Sequence, residues 1–295
     1  MQCLSPISKL DKKNGRLSIP CGKCLYCNAK RRGDWSFRLW QEYKRSKTAF
    51  FVTFTYSNEN LVDYVNVKTG EIRPSLHKPD VQLFIKRLRK YQEEYIKKEL
   101  KLKTIKQARA AAPQIRYYAC GEYGEITKRP HYHMILFNLD LNLKDKILDI
   151  WKLGHVHIGT CNAKTIAYTT KYINKETSNQ ESWVTPQFSI MSKRPPIGHE
   201  YLKENLMFHK KSNINYVKDD KGRTQRLPKF YKDKIFNQPF KKIAQRQESI
   251  KNSDESYKRE TKRINQLGMD EEKYRHDQLK DQIRKNTKIN NKDKL

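Results

Sequence analysis

The chain has 295 residues, enough for one good core plus extensions or for two small domains. Only 36% of residues are hydrophobic and 32% are charged, and Lys+Arg outnumber Asp+Glu by 62 to 32, a formal charge of +30. That balance favours polyanionic partners. No stretch approaches the ~20 apolar residues of a membrane span, and the absence of a GxxxxGK[ST] loop leaves no P-loop NTPase or helicase motif. The opening Met1-Gln2-Cys3-Leu4-Ser5-Pro6 lacks the apolar run of a signal peptide. A reducing cytoplasm is therefore expected, where clustered cysteines suggest metal rather than disulfides.

In chain order, residues 1–48 hold four of the six cysteines and then a helix from Asp34 to Arg45, with Trp35, Leu39 and Tyr43 at helical spacing. Residues 49–56 are aromatic and β-branched and read as a buried strand. Asp80 caps a helix through about Leu102, with Phe84, Leu88, Tyr91 and Tyr95 on one face. Lys86, Arg87, Arg89 and Lys90 give it a basic face, either solvated or facing DNA. Residues 115–123 and 131–138 read as strands with Gly124 to Pro130 turning between them. Leu143 to Lys152 is a short amphipathic helix, 154–158 a short strand, and Asn162 or Thr165 starts a helix through about Lys175. This order predicts an α+β domain with an antiparallel sheet of about five strands and packed helices. The expected organisation is a cysteine-rich module and helix (1–48), the main domain (49–180), an extension packed on it (181–240), and a charged helical or disordered tail (241–295). Sixteen Lys/Arg against ten Asp/Glu leave that tail at +6.

His131-Tyr132-His133 lies inside a strand, where period-two alternation points both imidazoles to one face. Two neutral imidazoles on one face can share a divalent ion. If the two strands form a hairpin centred between Ile126 and Thr127, positions summing to 253 face each other, which sets Glu122 opposite His131. Two imidazoles and one carboxylate leave open positions on the ion for a phosphodiester oxygen. His155-Val156-His157 has the same spelling but no partnered acidic strand, and reads as structural or DNA-facing. Further on, Tyr168 and Tyr172 are i and i+4 on one helix face, each with a lysine three residues on, Lys171 and Lys175. A phenol, with pKa near 10, needs activation to act as a nucleophile, and a nearby ammonium favours its phenolate or neutralises charge on a pentavalent phosphorane.

The set "FVTFTY", "GEYG…KRPHYHMILF" and "YTTKYINK", in that order, resembles the HUH endonucleases, and within them the rolling-circle replication initiators of gokushovirus-type microviruses, small single-stranded DNA phages. The opening "MQC…PCGKCLYC" and the later "MSKRPPIG" are also similar to that family, over roughly residues 1–240. The resemblance implies an HUH fold with a ferredoxin/RRM-like palm. It implies a catalytic Mg²⁺ or Mn²⁺ on His131, His133 and Glu122, with Tyr168 and Tyr172 as nucleophiles that nick origin DNA, hold its 5′ phosphate and later join strands. Single-stranded DNA and supercoiled origin DNA are the implied substrates, with a host helicase and DNA polymerase as partners in the host bacterial cytoplasm. Other HUH nucleases, such as a plasmid initiator or relaxase, and a non-catalytic zinc-bearing single-stranded DNA-binding protein are the competing expectations.

Cys21-x2-Cys24-x2-Cys27 together with Cys3 offers four thiolates, which suits a tetrahedral structural Zn²⁺. The C-x2-C-x2-C run also fits iron–sulfur ligation, and free thiols remain a third reading. Cys120 and Cys161 read as isolated buried thiols.

Overall fold

The structure is a computed structural model that describes residues 3, 7–11, 15–124, 126–171, 183–218, 222 and 224–238, and from there residues 243–244, 247, 255, 258–274, 276–278, 280–281 and 284. The chain divides into two compact units, Cys3–Ile235 and Phe236–Leu295.

In the first unit, β1 (Ile7–Asp11) and β2 (Gly15–Ile19) form an antiparallel hairpin ahead of a long helix, α1 (Leu25–Arg45). β3 (Ala49–Thr55) follows, then a small hairpin of β4 (Asp63–Val65) and β5 (Ile72–Pro74), and the helices α2 (Lys78–Glu99) and α3 (Ile105–Ala111). β6 (Arg116–Tyr123) and β7 (Pro130–Phe137) pair directly, and α4 (Lys146–Trp151), β8 (Val156–Thr160) and α5 (Ala163–Lys171) come next. The remainder comprises β9 (Phe188–Met191), α6 (His199–Ser212), a hairpin of β10 (Tyr216–Lys218) and β11 (Thr224–Arg226), and α7 (Lys229–Ile235).

Five strands form one antiparallel sheet in the order β8-β3-β7-β6-β9. Alternation along the strands sorts its side chains onto two faces. Val52, Phe54, Tyr56, Ala119, Tyr132, Met134 and Leu136 point to one, buried beneath Val81, Phe84 and Leu88 of α2 and Ile147 and Trp151 of α4. Tyr118, Ile135 and Phe137 point to the other, buried with Leu39 of α1 and Ile166 of α5. Each such fully buried large side chain stabilises the fold by roughly 1.5–3 kcal/mol. No described helix is long and apolar enough to cross a membrane.

Several elements differ from the sequence expectation. α1 begins at Leu25, nine residues ahead of Asp34, because Cys24 supplies its N-cap position and the basic run Lys30–Arg32 is helix-compatible. α2 begins at Lys78 with Pro79 in its first turn and ends at Glu99, and its N-cap is His77 rather than Asp80. Asp80 instead accepts a hydrogen bond from the Tyr56 hydroxyl at 2.5 Å, and that hydroxyl lies 2.8 Å from the Tyr132 hydroxyl. Tyr91 is 43% exposed and lies off the buried stripe, which runs through Val81, Phe84, Ile85, Leu88, Gln92 and Ile96. In the basic face, Arg89 is tied down, donating to the Ile115 carbonyl at 3.1 and 2.8 Å, and the whole helix covers the sheet face opposite His131 and His133. α4 is shorter than Leu143–Lys152, since Leu141–Leu143 forms a separate 3-10 turn, and β8 is shifted two residues onward. The region 181–240 supplies the fifth strand, β9, as well as α6 and α7. In the second unit, residues 258–266 are helical and turn at Leu267–Gly268.

Candidate metal and tyrosine site

The hairpin β6–β7 pairs Glu122 with His131 and Cys120 with His133, the register in which facing positions sum to 253. Its connection is closed by Gly124 N–H donating to the Arg129 carbonyl at 3.0 Å and Lys128 N–H to the Gly124 carbonyl at 3.1 Å. Arg129 anchors the turn to the start of the 3-10 segment after β3, donating to Asn58 Oδ1 at 2.8 Å and to the Tyr56 carbonyl at 3.0 Å. Glu122, His131 and His133 therefore share the sheet face that carries α1 and α5. Glu122 and His133 are buried, at 5% and 6% exposure, and His131 is half-buried.

His131 Nε2 lies 3.4 Å from Glu122 Oε1, and His133 Nε2 lies 3.8 Å from Glu122 Oε2. The outward nitrogens are engaged elsewhere. His131 Nδ1 is 3.2 Å from the Arg129 carbonyl, which only accepts, so that nitrogen carries the proton and, in the neutral ring, Nε2 presents a lone pair to the carboxylate. His133 Nδ1 is 3.0 Å from Thr53 Oγ1. Burial first, and the neighbouring His131 second, lower the His133 pKa to about 4 against the opposing pull of Glu122, so the ring is neutral near pH 7. The arrangement thus turns lone pairs toward a carboxylate, and one donor atom from each of the three residues lies within 4.8 Å of the others. A divalent ion ~2.1 Å from each donor sets neighbouring donors roughly 3.0–3.4 Å apart. The observed spacings need only sub-ångström closure, so the donor set fits such an ion.

Tyr168 sits over this cluster. Its ring edge meets the His133 ring at a centroid distance of 5.3 Å and the Phe51 ring at 6.0 Å, and Phe51 stacks on His133 at 5.5 Å. α5 holds the tyrosine there through buried Ile166, Thr169 and Thr170, and Thr170 Oγ1 lies 3.0 Å from Ser36 Oγ of α1. Asn162 Oδ1 caps the helix start, accepting from the amides of Lys164 and Thr165 at 2.9 and 3.0 Å. Lys171 Nζ lies 5.5 Å from the Tyr168 ring centroid. Tyr172, Ile173 and Lys175 lie outside the described residues.

His155 and His157 occupy the exposed edge of the same face. His157 pairs with Thr53, and the His155 backbone exchanges hydrogen bonds with Thr55 at 3.0 Å in both directions. They lie one strand beyond the donor cluster and do not join it. The four cysteines converge: Cys3 Sγ is 3.4 Å from Cys21 Sγ and 3.7 Å from Cys24 Sγ, and Cys21 Sγ is 4.0 Å from Cys27 Sγ. Cys120 and Cys161 are buried singly, their thiols pushed up by burial, that of Cys161 to about 11. Thr53 and Phe51, which hold His133, are contacts that sequence reasoning missed. The only local signal was their period-two placement on a strand, and no turn links β3 to β7 to fix the register.

The family model for the "Replication-associated protein ORF2" group matches residues 49–177. Among curated proteins, the "Replication-associated protein ORF2" of Spiroplasma virus 4 is 30% identical over 234 residues, 72% of this chain and 66% of that protein, so the chain spans just under two thirds of this relative. The "Replication-associated protein VP4" of Bdellovibrio phage phiMH2K is 24% identical over 265 residues, 79% of this chain and 76% of that protein. The "Replication-associated protein ORF4" of Chlamydia phage 1 is 25% identical over 177 residues, 54% of this chain and 38% of that protein. No solved structure matches the chain significantly.

Proposed function

The chain belongs to the replication-associated proteins of microvirus type, and from that premise we propose that it initiates rolling-circle DNA replication as a metal-dependent HUH-type tyrosine endonuclease. The observation that carries this reading is the tyrosine ring of α5 set against a neutral, buried histidine whose neighbours are a second imidazole and a carboxylate. A protein that only binds DNA has no use for lone pairs turned toward a buried carboxylate beside a phenol.

His131, His133 and Glu122 would hold Mn²⁺ or Mg²⁺, the imidazole share favouring Mn²⁺. When bound, the ion would act as a Lewis acid toward a non-bridging phosphate oxygen. Tyr168 supplies the attacking phenolic oxygen: its O–P bond forms as the bond from phosphorus to the 3′-oxygen breaks. The phenolic proton passes to solvent and the departing 3′-oxygen takes one up, so the products are a 5′-phosphotyrosine and a free 3′-OH. Lys171 places positive charge beside the reacting oxygen, where negative charge builds on the phosphorane. Exchange of one phosphodiester for another is nearly balanced in energy, so joining is the same step run backwards with a new 3′-OH. Tyr172 and Lys175 form the second nucleophile pair that serves this joining. Single-stranded and supercoiled origin DNA are the substrates, drawn by the charge of +30. A host helicase and polymerase supply unwinding and synthesis in the host bacterial cytoplasm.

The test is covalent trapping. Labelled single-stranded DNA tiled across the source replicon is mixed with the protein and its Tyr168→Phe, Tyr172→Phe and double variants, with Mn²⁺ or EDTA. A labelled band that survives SDS, needs metal and disappears in the double variant is expected. Binding without adduct on any tile, with either metal, would leave a DNA-binding protein and end the endonuclease reading.

A further inference from the structure

The N-terminal hairpin β1–β2 has too little to hold it by packing. Its described apolar side chains Ile7, Leu10 and Ile19 are 56%, 75% and 37% exposed, and a lone two-stranded hairpin is marginal in water at best. The chain on either side of it nonetheless converges. Cys3 lies ahead of β1, Cys21 follows β2, and Cys24 and Cys27 sit at the N-cap and in the first turn of α1.

We propose that Cys3, Cys21, Cys24 and Cys27 form a tetrathiolate Zn²⁺ site that fastens the N-terminal hairpin to the start of α1. The assignment goes beyond the nicking reaction and does not depend on it. Four thiolates ~2.3 Å from one ion in a tetrahedron stand ~3.8 Å apart. The observed Sγ separations of 3.4, 3.7 and 4.0 Å bracket that value, and one Sγ from each cysteine lies within 4.8 Å of the rest. A disulfide needs ~2.0 Å and pairs sulfurs two by two. An iron–sulfur cube, with each thiolate on a different iron, spreads them to roughly 6 Å.

The backbone around the cluster is also built for charged sulfur. The Cys21 amide donates to Cys3 Sγ at 3.2 Å, and the amides of Lys23 and Cys24 donate to Cys21 Sγ at 3.4 and 3.3 Å. Gly22, at φ +78°, makes the turn that aims these amides, a conformation a side chain would resist. The carbonyls of the same turn are tied to α1: Arg31 donates to Gly22 O at 3.1 Å and Asn28 to Lys23 O at 2.8 Å. The N-terminal end of α1 adds its positive dipole beside the thiolates. Because all four positions of the ion are filled by protein, the site is structural and has no place for substrate.

The experiment measures metal in the full chain purified without chelator: wild type, the Cys21→Ser/Cys24→Ser variant and the His131→Ala/His133→Ala variant. Expected are one tightly held zinc per chain in wild type and in the histidine variant, and its loss from the cysteine variant. Co²⁺ exchanged into wild type should show the thiolate-to-cobalt charge-transfer and visible bands of a tetrahedral sulfur site, unchanged in the histidine variant. Wild type without stoichiometric zinc and without those cobalt bands would overturn the assignment. So would iron with acid-labile sulfide in place of zinc, or zinc that leaves with the histidines. If the cysteine variant fails to fold, the wild-type cobalt spectrum still decides.

Discussion

Replacing Thr53 with valine removes one hydroxyl and keeps the β-branched shape that strand β3 accepts. In the folded protein that hydroxyl lies 3.0 Å from Nδ1 of His133, while the other face of the ring stacks on Phe51. Without it the ring keeps its packing but loses the partner that fixes its tautomer, and a metal must then also pay for moving the proton off Nε2. Losing such an orienting partner weakens metal binding about 10–100-fold, or about 1.4–2.7 kcal/mol. The assay is Mn²⁺ titration, by electron paramagnetic resonance of the free ion, of wild type, Thr53→Val and Thr53→Ser, with circular dichroism to verify the fold. Serine restores the hydroxyl and should bind within about threefold of wild type, because the hydrogen bond is regained. Valine binding Mn²⁺ as tightly as wild type, or serine binding as weakly as valine, would refute the argument that the hydroxyl orients the ring.

Glu42→Ala should lower stability by about 3–5 kcal/mol, a fall of roughly 10 °C in Tm by calorimetry. The Glu42 carboxylate is buried against the Arg116 guanidinium and also accepts from the Gly198 amide at 2.6 Å, so its removal strands a buried cation and an amide. Gly154→Ala should cost about 3 kcal/mol or more and raise hydrogen exchange along β8, since a Cβ there would come within 2.3 Å of the Thr55 carbonyl oxygen and the Ser57 amide nitrogen. Burial pushes the Tyr201 phenol up to about 12, against the lowering effect of Arg45. Its folded pKa exceeds the unfolded value of about 10, so the folded state keeps a proton the unfolded state loses, and stability falls as pH rises from 10 to 12. Chemical denaturation across that range should show a shallower fall in Tyr201→Phe.

The hairpin that brings Glu122 to His131 was legible because both strands and their turn are contiguous, so one arithmetic register follows from turn length alone. The helix that carries Tyr168 was legible from its Asn162 cap and apolar spacing. What joins these pieces was not. The Thr53 contact to His133 depends on strands from distant parts of the chain, and β9 lies in a stretch with weak periodicity whose strand character comes from pairing with β6. The start of α1 was misplaced because its first turn is organised by cysteines, which carry little helical signal of their own. Asp80 looked like a cap, but its carboxylate is taken by the Tyr56 hydroxyl, a tertiary contact that propensity cannot foresee.

The placement of Thr53 also bears on the order in which the donor cluster matures. Glu122, His131 and His133 meet as soon as one hairpin forms, with nine residues between Glu122 and His131. The hydroxyl that orients His133 lies 80 residues away along the chain. Closing the longer loop costs roughly 2 kcal/mol more in chain entropy, and it is offset only when β3 inserts between β7 and β8 and buries Val52 and Phe54. A chain still folding therefore presents three loosely held ligands first and an oriented pair of imidazoles later. Tight metal capture is coupled to docking of the central strand, so an ion held firmly is itself a report that the sheet has closed.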